Sequence, residues 1–147
     1  MRIFLDANIL VSVLNKEYPL FTYTSRIISL ADKTRFTLFT SPVCPAIAFY
    51  FAEEKYRSIS AKKRIEILCK HINIAATTKN TVFQFLQTPA INDFEVGLAY
   101  YAAIESKCDC IITEDIDAFY FSKVEVLGSE NFFEKYLVGQ LPKSRSR

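Results

Sequence analysis

The chain has 147 residues, half of them hydrophobic, and a formal net charge of +2. That length suits one domain with a sizeable core, and the charge is too small to imply nucleic-acid binding by itself. With only 3 glycines and neither GxGxxG nor GxxxxGKS/T, a glycine-rich phosphate loop is excluded. No apolar run reaches the length of a membrane span, and no basic stretch precedes a long apolar region at the N-terminus. A soluble cytoplasmic protein with no membrane partner is expected.

In chain order, residues 2–5 read as a buried strand and 8–14 as a short helix, broken by Tyr18-Pro19-Leu20. Ile27, Ile28, Leu30 and Ala31 give an amphipathic helix over 22–31, and 36–40 a second strand. Ser41-Pro42 predicts a helix start with Ser41 as N-cap, running to about Arg57 with Pro45 in its first turn. Ser60 caps another helix through Cys69, 72–75 is a short strand, and 78–86 is helical until Thr88-Pro89. Apolar residues at 94, 98, 101 and 102 predict a helix after Asn92-Asp93. Strands follow at 110–113 and 124–127, and Ser129 opens a last helix over 130–137. Alternating strands and helices imply an α/β sandwich with a central, mainly parallel sheet. Residues 1–140 form one domain, and 141–147 a basic, flexible tail.

The chemistry-bearing residues are acids. Asp6 ends the apolar run Ile3-Phe4-Leu5, and Ile111-Ile112-Thr113 runs into Glu114-Asp115-Ile116-Asp117. Parallel α/β sheets bind ligands at the C-terminal ends of their strands. Adjacent strands would bring Asp6 and Asp115 within bridging distance of one ion, with Asn8 orienting Asp6 or a bound water. Hard oxygen ligands suit Mg2+ or Mn2+, and hence phosphodiester chemistry. A third contributor is expected near the helix start at 93. Asp93 is also a natural N-cap, and Glu95 in the first turn also complements the helix dipole. Asp117 is equally a solvated turn residue. Cys44, Cys69, Cys108 and Cys110 lack paired CxxC spacing and His71 is remote from them in sequence, which argues against zinc and for buried structural thiols.

Three segments resemble the PIN domain family, and within it the small prokaryotic proteins that include VapC-type toxins. They are Ile3-Phe4-Leu5-Asp6-Ala7-Asn8-Ile9-Leu10, then Asp93-Phe94-Glu95-Val96-Gly97-Leu98-Ala99-Tyr100-Tyr101-Ala102-Ala103, and Ile111-Ile112-Thr113-Glu114-Asp115-Ile116-Asp117-Ala118-Phe119. The closing Val126-Leu127-Gly128-Ser129-Glu130-Asn131-Phe132 is similar to the family's last strand and helix. The resemblance implies a three-layer α/β/α sandwich and a metal-dependent endoribonuclease with three or four acids. It also implies an RNA substrate, a homodimer and an antitoxin partner. Asp6 matches the first acid, Asn8 the polar residue two positions on, Asp115 the acid after the late strand, and Asp117 an occasional extra one.

Two positions depart from the pattern. Ile47 or a neighbour stands where the family often has an acid, and Glu53 and Glu54 lie about two turns further on, about 9–10 Å along an ideal helix. Val96 stands at the family's next acid. Asp93, three residues earlier, shares a helix face with Val96, whereas Glu95 points about 100° away. Asp93 is therefore preferred to Glu95 as the surviving ligand.

Lys55, Arg57, Lys62, Lys63 and Arg64 form the densest basic stretch, expected beside the ligand-binding edge of a PIN-like sheet, where phosphates would be met. The alternative for that stretch is a solvated face. Arg2, Lys143, Arg145 and Arg147 add unspecific attraction, and Phe49, Tyr50 and Tyr56 are expected in the core rather than stacked on bases. Two functions follow: a metal-dependent ribonuclease using Asp6, Asp93 and Asp115, or a PIN-fold module without catalysis that binds RNA or protein.

Overall fold

A computed structural model describes residues 1–138; the predicted tail at 141–147 lies outside the described residues. Among those described, β1 Arg2–Leu5, β2 Thr37–Thr40, β3 Asn73–Ile74, β4 Cys110–Ile112 and β5 Glu125–Leu127 form one sheet. Every pair is parallel and the order is β3-β2-β1-β4-β5. β1 is central. Ile3, Phe4 and Leu5 are fully buried, as a strand covered on both faces requires, and each contributes about 1.5–3 kcal/mol by leaving water. The edge strand β3 is only two residues long, and both are exposed.

Seven helices accompany the described sheet: α1 Ala7–Leu14, α2 Phe21–Ser29, α3 Val43–Lys55, α4 Ser58–Cys69, α5 Lys79–Leu86, α6 Phe94–Glu105 and α7 Ser129–Phe132. α1 packs on α2 and α3, and α3 on α4, while α5 packs on α6, which also meets the 3-10 turn Ile116–Phe119. Right-handed connections between parallel strands put these two groups on opposite faces. The result is the expected three-layer α/β/α sandwich. Among the described residues, no helix is long and apolar enough to cross a membrane.

Several boundaries move for local reasons. Ser41 does not cap α3: Pro42 holds the cap position without a side-chain bond. The Ser41 hydroxyl instead lies 3.5 Å from Cys44 Sγ. Pro45 does sit in the first turn, where its missing N–H has no intrahelical partner to lose. α3 ends at Lys55, and α4 begins at Ser58 with Arg57 as its cap, two residues before Ser60. Thr78 closes a capping box with Thr81 at the start of α5. The final helix is α-helical only to Phe132 and continues as a π-helical turn, Phe133–Leu137.

The chain leaves β1 toward β2 on one side, while β4 pairs on the other. A topological switch point therefore lies between the C-terminal ends of β1 and β4, where open α/β sheets leave a crevice.

Candidate active site

The register Leu5↔Ile112 places the residues following β1 and β4 side by side. Asp6 extends the ladder by one bond, its N–H donating to the Ile112 carbonyl at 3.1 Å. Its backbone then turns from extended into α1, whose first N–H, that of Ala7, donates to Asp6 Oδ1 at 2.9 Å. On the neighbouring strand the buried Thr113 hydroxyl donates to Asp6 Oδ2 at 2.8 Å. Thr113 Oγ1 itself accepts from Asn8 Nδ2 at 3.0 Å and from the Asp115 N–H at 3.1 Å. Asn8 completes the link, its Oδ1 accepting the Glu114 N–H at 3.0 Å. Two strand ends are thus joined by a polar network around one carboxylate.

Above this network lies a cleft of about 470 Å3. Asp6, Asp115, Asp93 and Glu95 all line it, as do Asn8 and the two apolar residues Ile47 and Val96. Asp117 does not line it; it sits exposed in the turn Ile116–Phe119. Asp93 caps α6, its Oδ1 accepting the Val96 N–H at 3.1 Å. The carboxylates of Asp115 and Glu95 make no hydrogen bond to the protein among the described residues.

Electrostatics single out Asp6. Burial pushes its pKa above the ordinary 3.8 and the charges of Asp115 and Glu95 push it further, while the Thr113 hydroxyl and the Ala7 N–H pull it back. Cys44 faces it, with Sγ 3.9 Å from Asp6 Oδ1. Burial, and then the Asp6 charge, raise that thiol to about 11, so it stands as a neutral neighbour rather than a thiolate ligand.

The donor set fits a hard divalent cation. It offers carboxylate oxygens whose mutual repulsion a cation would relieve, and soft thiolate is absent. Among the described residues, no three His, Cys, Asp or Glu side chains already converge tightly enough to hold a metal ion. The acids sense one another across the cleft without forming a closed cage, which suits an ion such as Mg2+ that keeps several waters.

Several residues that build this candidate site carry little signal in the sequence. Thr113 was legible only as the end of a strand. Its hydroxyl bond to the N–H two residues on is a local turn motif, and Thr-x-Asp after an apolar run was the available signal. Glu17 and Leu20 reach the cleft from the segment after α1, and nothing in their spacing announced it.

The basic stretch takes no part in lining the acidic cleft. α3 borders the cleft from Val43 to Phe51 and carries Lys55 about 6 Å beyond it, and none of Lys55, Arg57, Lys62, Lys63 or Arg64 lines the cleft. Arg64 instead lies over the Tyr56 ring at 3.7 Å, Lys55 Nζ bonds the Asn15 carbonyl, and Lys63 pairs with Glu66 at 3.4 Å. Tyr50 is not a core residue: it is 62% exposed, and the neighbouring Phe51 is 43% exposed at the rim of the cleft.

A parallel, doubly wound α/β sheet with an acidic cleft at its switch point defines the architectural class of this protein. Residues 2–117 match the PIN domain model, and the chain belongs to the PIN domain family. Its fold is similar to that of VapBC2 from Rickettsia felis, solved bound to a DNA fragment from its promoter (19% identity, 86% of this chain and 97% of that one, TM-score 0.66). It is also similar to VapBC-1 from nontypeable Haemophilus influenzae (15% identity, 88% and 99%, TM-score 0.68). A third similar fold is Mycobacterium tuberculosis VapC20, a sarcin-ricin loop cleaving toxin (14% identity, 84% and 98%, TM-score 0.63). Curated proteins yield no sequence match.

Proposed function

We propose that this chain is a metal-dependent endoribonuclease acting as the toxin of a toxin–antitoxin pair. The observation that carries the proposal is the meeting of Asp6 and Asp115 in one cleft, from the ends of adjacent strands. The VapBC complexes among the similar folds support an antitoxin partner, and the sarcin-ricin loop cleaving toxin supports an RNA substrate; a cytoplasmic homodimer completes the proposal.

Asp6 and Asp115 would hold Mg2+ or Mn2+, with Glu95 as third oxygen donor. The preference for Asp93 over Glu95 drawn from helix geometry gives way here, because Asp93 spends one oxygen on the α6 N-terminus while the Glu95 charge acts on Asp6. Asp93 keeps its second oxygen for a water-mediated role, and Asp117, outside the cleft, is given no metal role. Asn8 and Thr113 orient the Asp6 carboxylate. When bound, the ion supplies an acidified water and offsets charge on the phosphate.

A second reading, a PIN-fold module without catalysis, is favoured by one observation: Ile47 and Val96 present apolar surface to the cleft where the family pattern has acids. Titration calorimetry with Mn2+ and RNA cleavage by wild type and Asp6→Asn separate the two. The nuclease reading expects Mn2+ binding and metal-dependent cleavage lost in the variant. Absence of binding at millimolar Mn2+, or equal cleavage by both proteins, sinks it.

A further inference from the structure

We propose that Glu114 is a positioning residue of this site, clasping the segment after β4 to α7 so that Asp115 stands beside Asp6; the inference rests on the metal-dependent reading above. Glu114 lines the cleft next to Asp115, and by position alone it would serve as one more metal ligand. Its carboxylate is already engaged. Oε1 accepts from the Ser129 N–H at 3.0 Å and also from the Ser129 hydroxyl. Ser129 is fully buried at the start of α7, so water cannot readily replace that acceptor, and leaving buried donors unmet is unfavourable. The other oxygen, Oε2, lies over Gly128, where a Cβ would stand 3.4 Å from it and 3.7 Å from Ile116 Cδ1. A Cβ at 128 would stand in ordinary contact with the clasp.

The main chain of Glu114 is gripped from the opposite side by Asn8 Oδ1. One residue therefore ties α7 through its side chain and α1 through its backbone. Its sequence neighbours are Thr113, which donates to Asp6, and Asp115. The Asp115 carboxylate has no hydrogen-bonding side chain to steer it among the described residues. Its place beside Asp6 is set by the backbone that the clasp holds, together with the bond from the Asp115 N–H to Thr113 Oγ1.

The test uses the full chain with two readouts: hydrogen exchange of the residue 114 and 115 amides in metal-free protein, and Mn2+ affinity by calorimetry. Glu114→Gln keeps an acceptor oxygen for Ser129, whereas Glu114→Ala removes it. Glu114→Ala is expected to speed exchange of both amides and to weaken Mn2+ about tenfold, the usual size of an outer-shell effect, with Glu114→Gln within about threefold of wild type. Ser129→Ala, which keeps the backbone donor, is a milder lesion and should fall between them. Loss of Mn2+ affinity in Glu114→Gln equal to that in Glu114→Ala, with exchange unchanged, makes Glu114 a direct ligand and overturns the proposal. So does a Glu114→Ala protein matching wild type in both readouts. Should wild type itself bind no Mn2+, the metal reading fails, and the exchange rates still decide the clasp.

Discussion

Thr113→Val removes one oxygen from the centre of the network and leaves the side-chain shape nearly unchanged. The hydroxyl it deletes makes three bonds, to Asp6 Oδ2 at 2.8 Å, Asn8 Nδ2 at 3.0 Å and the Asp115 N–H at 3.1 Å. These are not equal. Asn8 keeps a second, longer contact to Asp6 Oδ2 at 3.5 Å, and Asp115 is exposed, so water can meet its N–H. The bond to the part-buried carboxylate dominates, at about 1.5–3 kcal/mol for a hydrogen bond to a charged group. For a domain of this size that lowers Tm by roughly 4–10 °C. Thr113→Ser is the control, because it keeps the hydroxyl and loses one methyl, about 1 kcal/mol. The effect also has a pH signature. Asp6 is already raised above 3.8, so its ionisation makes the fold less stable as pH rises through its folded pKa. Without the Thr113 hydroxyl the folded pKa rises further, and this loss extends over a wider window. The gap between variant and wild type is therefore full at neutral pH and narrows as pH falls and Asp6 becomes protonated in both. Urea denaturation at neutral and acid pH measures it. A Thr113→Val protein no less stable than Thr113→Ser at neutral pH would refute the reasoning.

Asp115→Asn removes a like charge from Asp6; its pKa should fall toward the ordinary value, metal-free stability at neutral pH should rise by about 0.5 kcal/mol given the solvent screening of an exposed partner, and Mn2+ binding should weaken, as urea titration and calorimetry will show. Ile47→Glu returns an acid to the cleft wall; it should destabilise the metal-free protein by about 1 kcal/mol through carboxylate repulsion, tighten Mn2+ about tenfold, and recover its Tm when Mn2+ is added. Burial lifts the thiols of Cys44 to about 11 and of Cys108 and Cys110 to about 12; labelling of native protein with a disulfide reagent at pH 8 should reach the half-buried Cys69 first and the other three only after unfolding.

The sheet was legible because its signals are local and redundant. Ile3-Phe4-Leu5 and Cys110-Ile111-Ile112 are apolar without alternation, which only strands covered on both faces tolerate, and both fall where expected. Helix starts were less so. Ser41 has strong capping propensity, yet it lies fully buried between β2 and α3 and its hydroxyl turns to Cys44; tertiary packing outweighed a preference worth about 1 kcal/mol. At the site, Asp6 and Asp115 were readable from their places after apolar runs, since strand ends converge wherever the strands are neighbours. Thr113 and Glu114 were not, because their partners Asp6 and Ser129 lie 107 and 15 residues away. The basic stretch left two readings open for a related reason: charge density is a sequence property, but neighbours are set by the fold, and the local partners of Arg64, Lys55 and Lys63 favour the solvated face.

Ile47 and Val96 bear on how few acids the site needs. Among the acids lining the cleft, Asp6 is the one committed to a part-buried place, and the charges of Asp115 and Glu95 make its ionisation harder. Two apolar neighbours on the cleft wall keep that repulsion down to the contributions of Asp115 and Glu95, while Thr113, Asn8 and the Ala7 N–H supply donors that hold Asp6 in orientation without metal. A cage of four acids gains metal affinity by making the empty site less stable. This arrangement places the burden on donors and on the clasped β4 segment instead, so metal affinity should respond as strongly to the neutral Thr113 and Asn8 as to any exposed carboxylate at the rim.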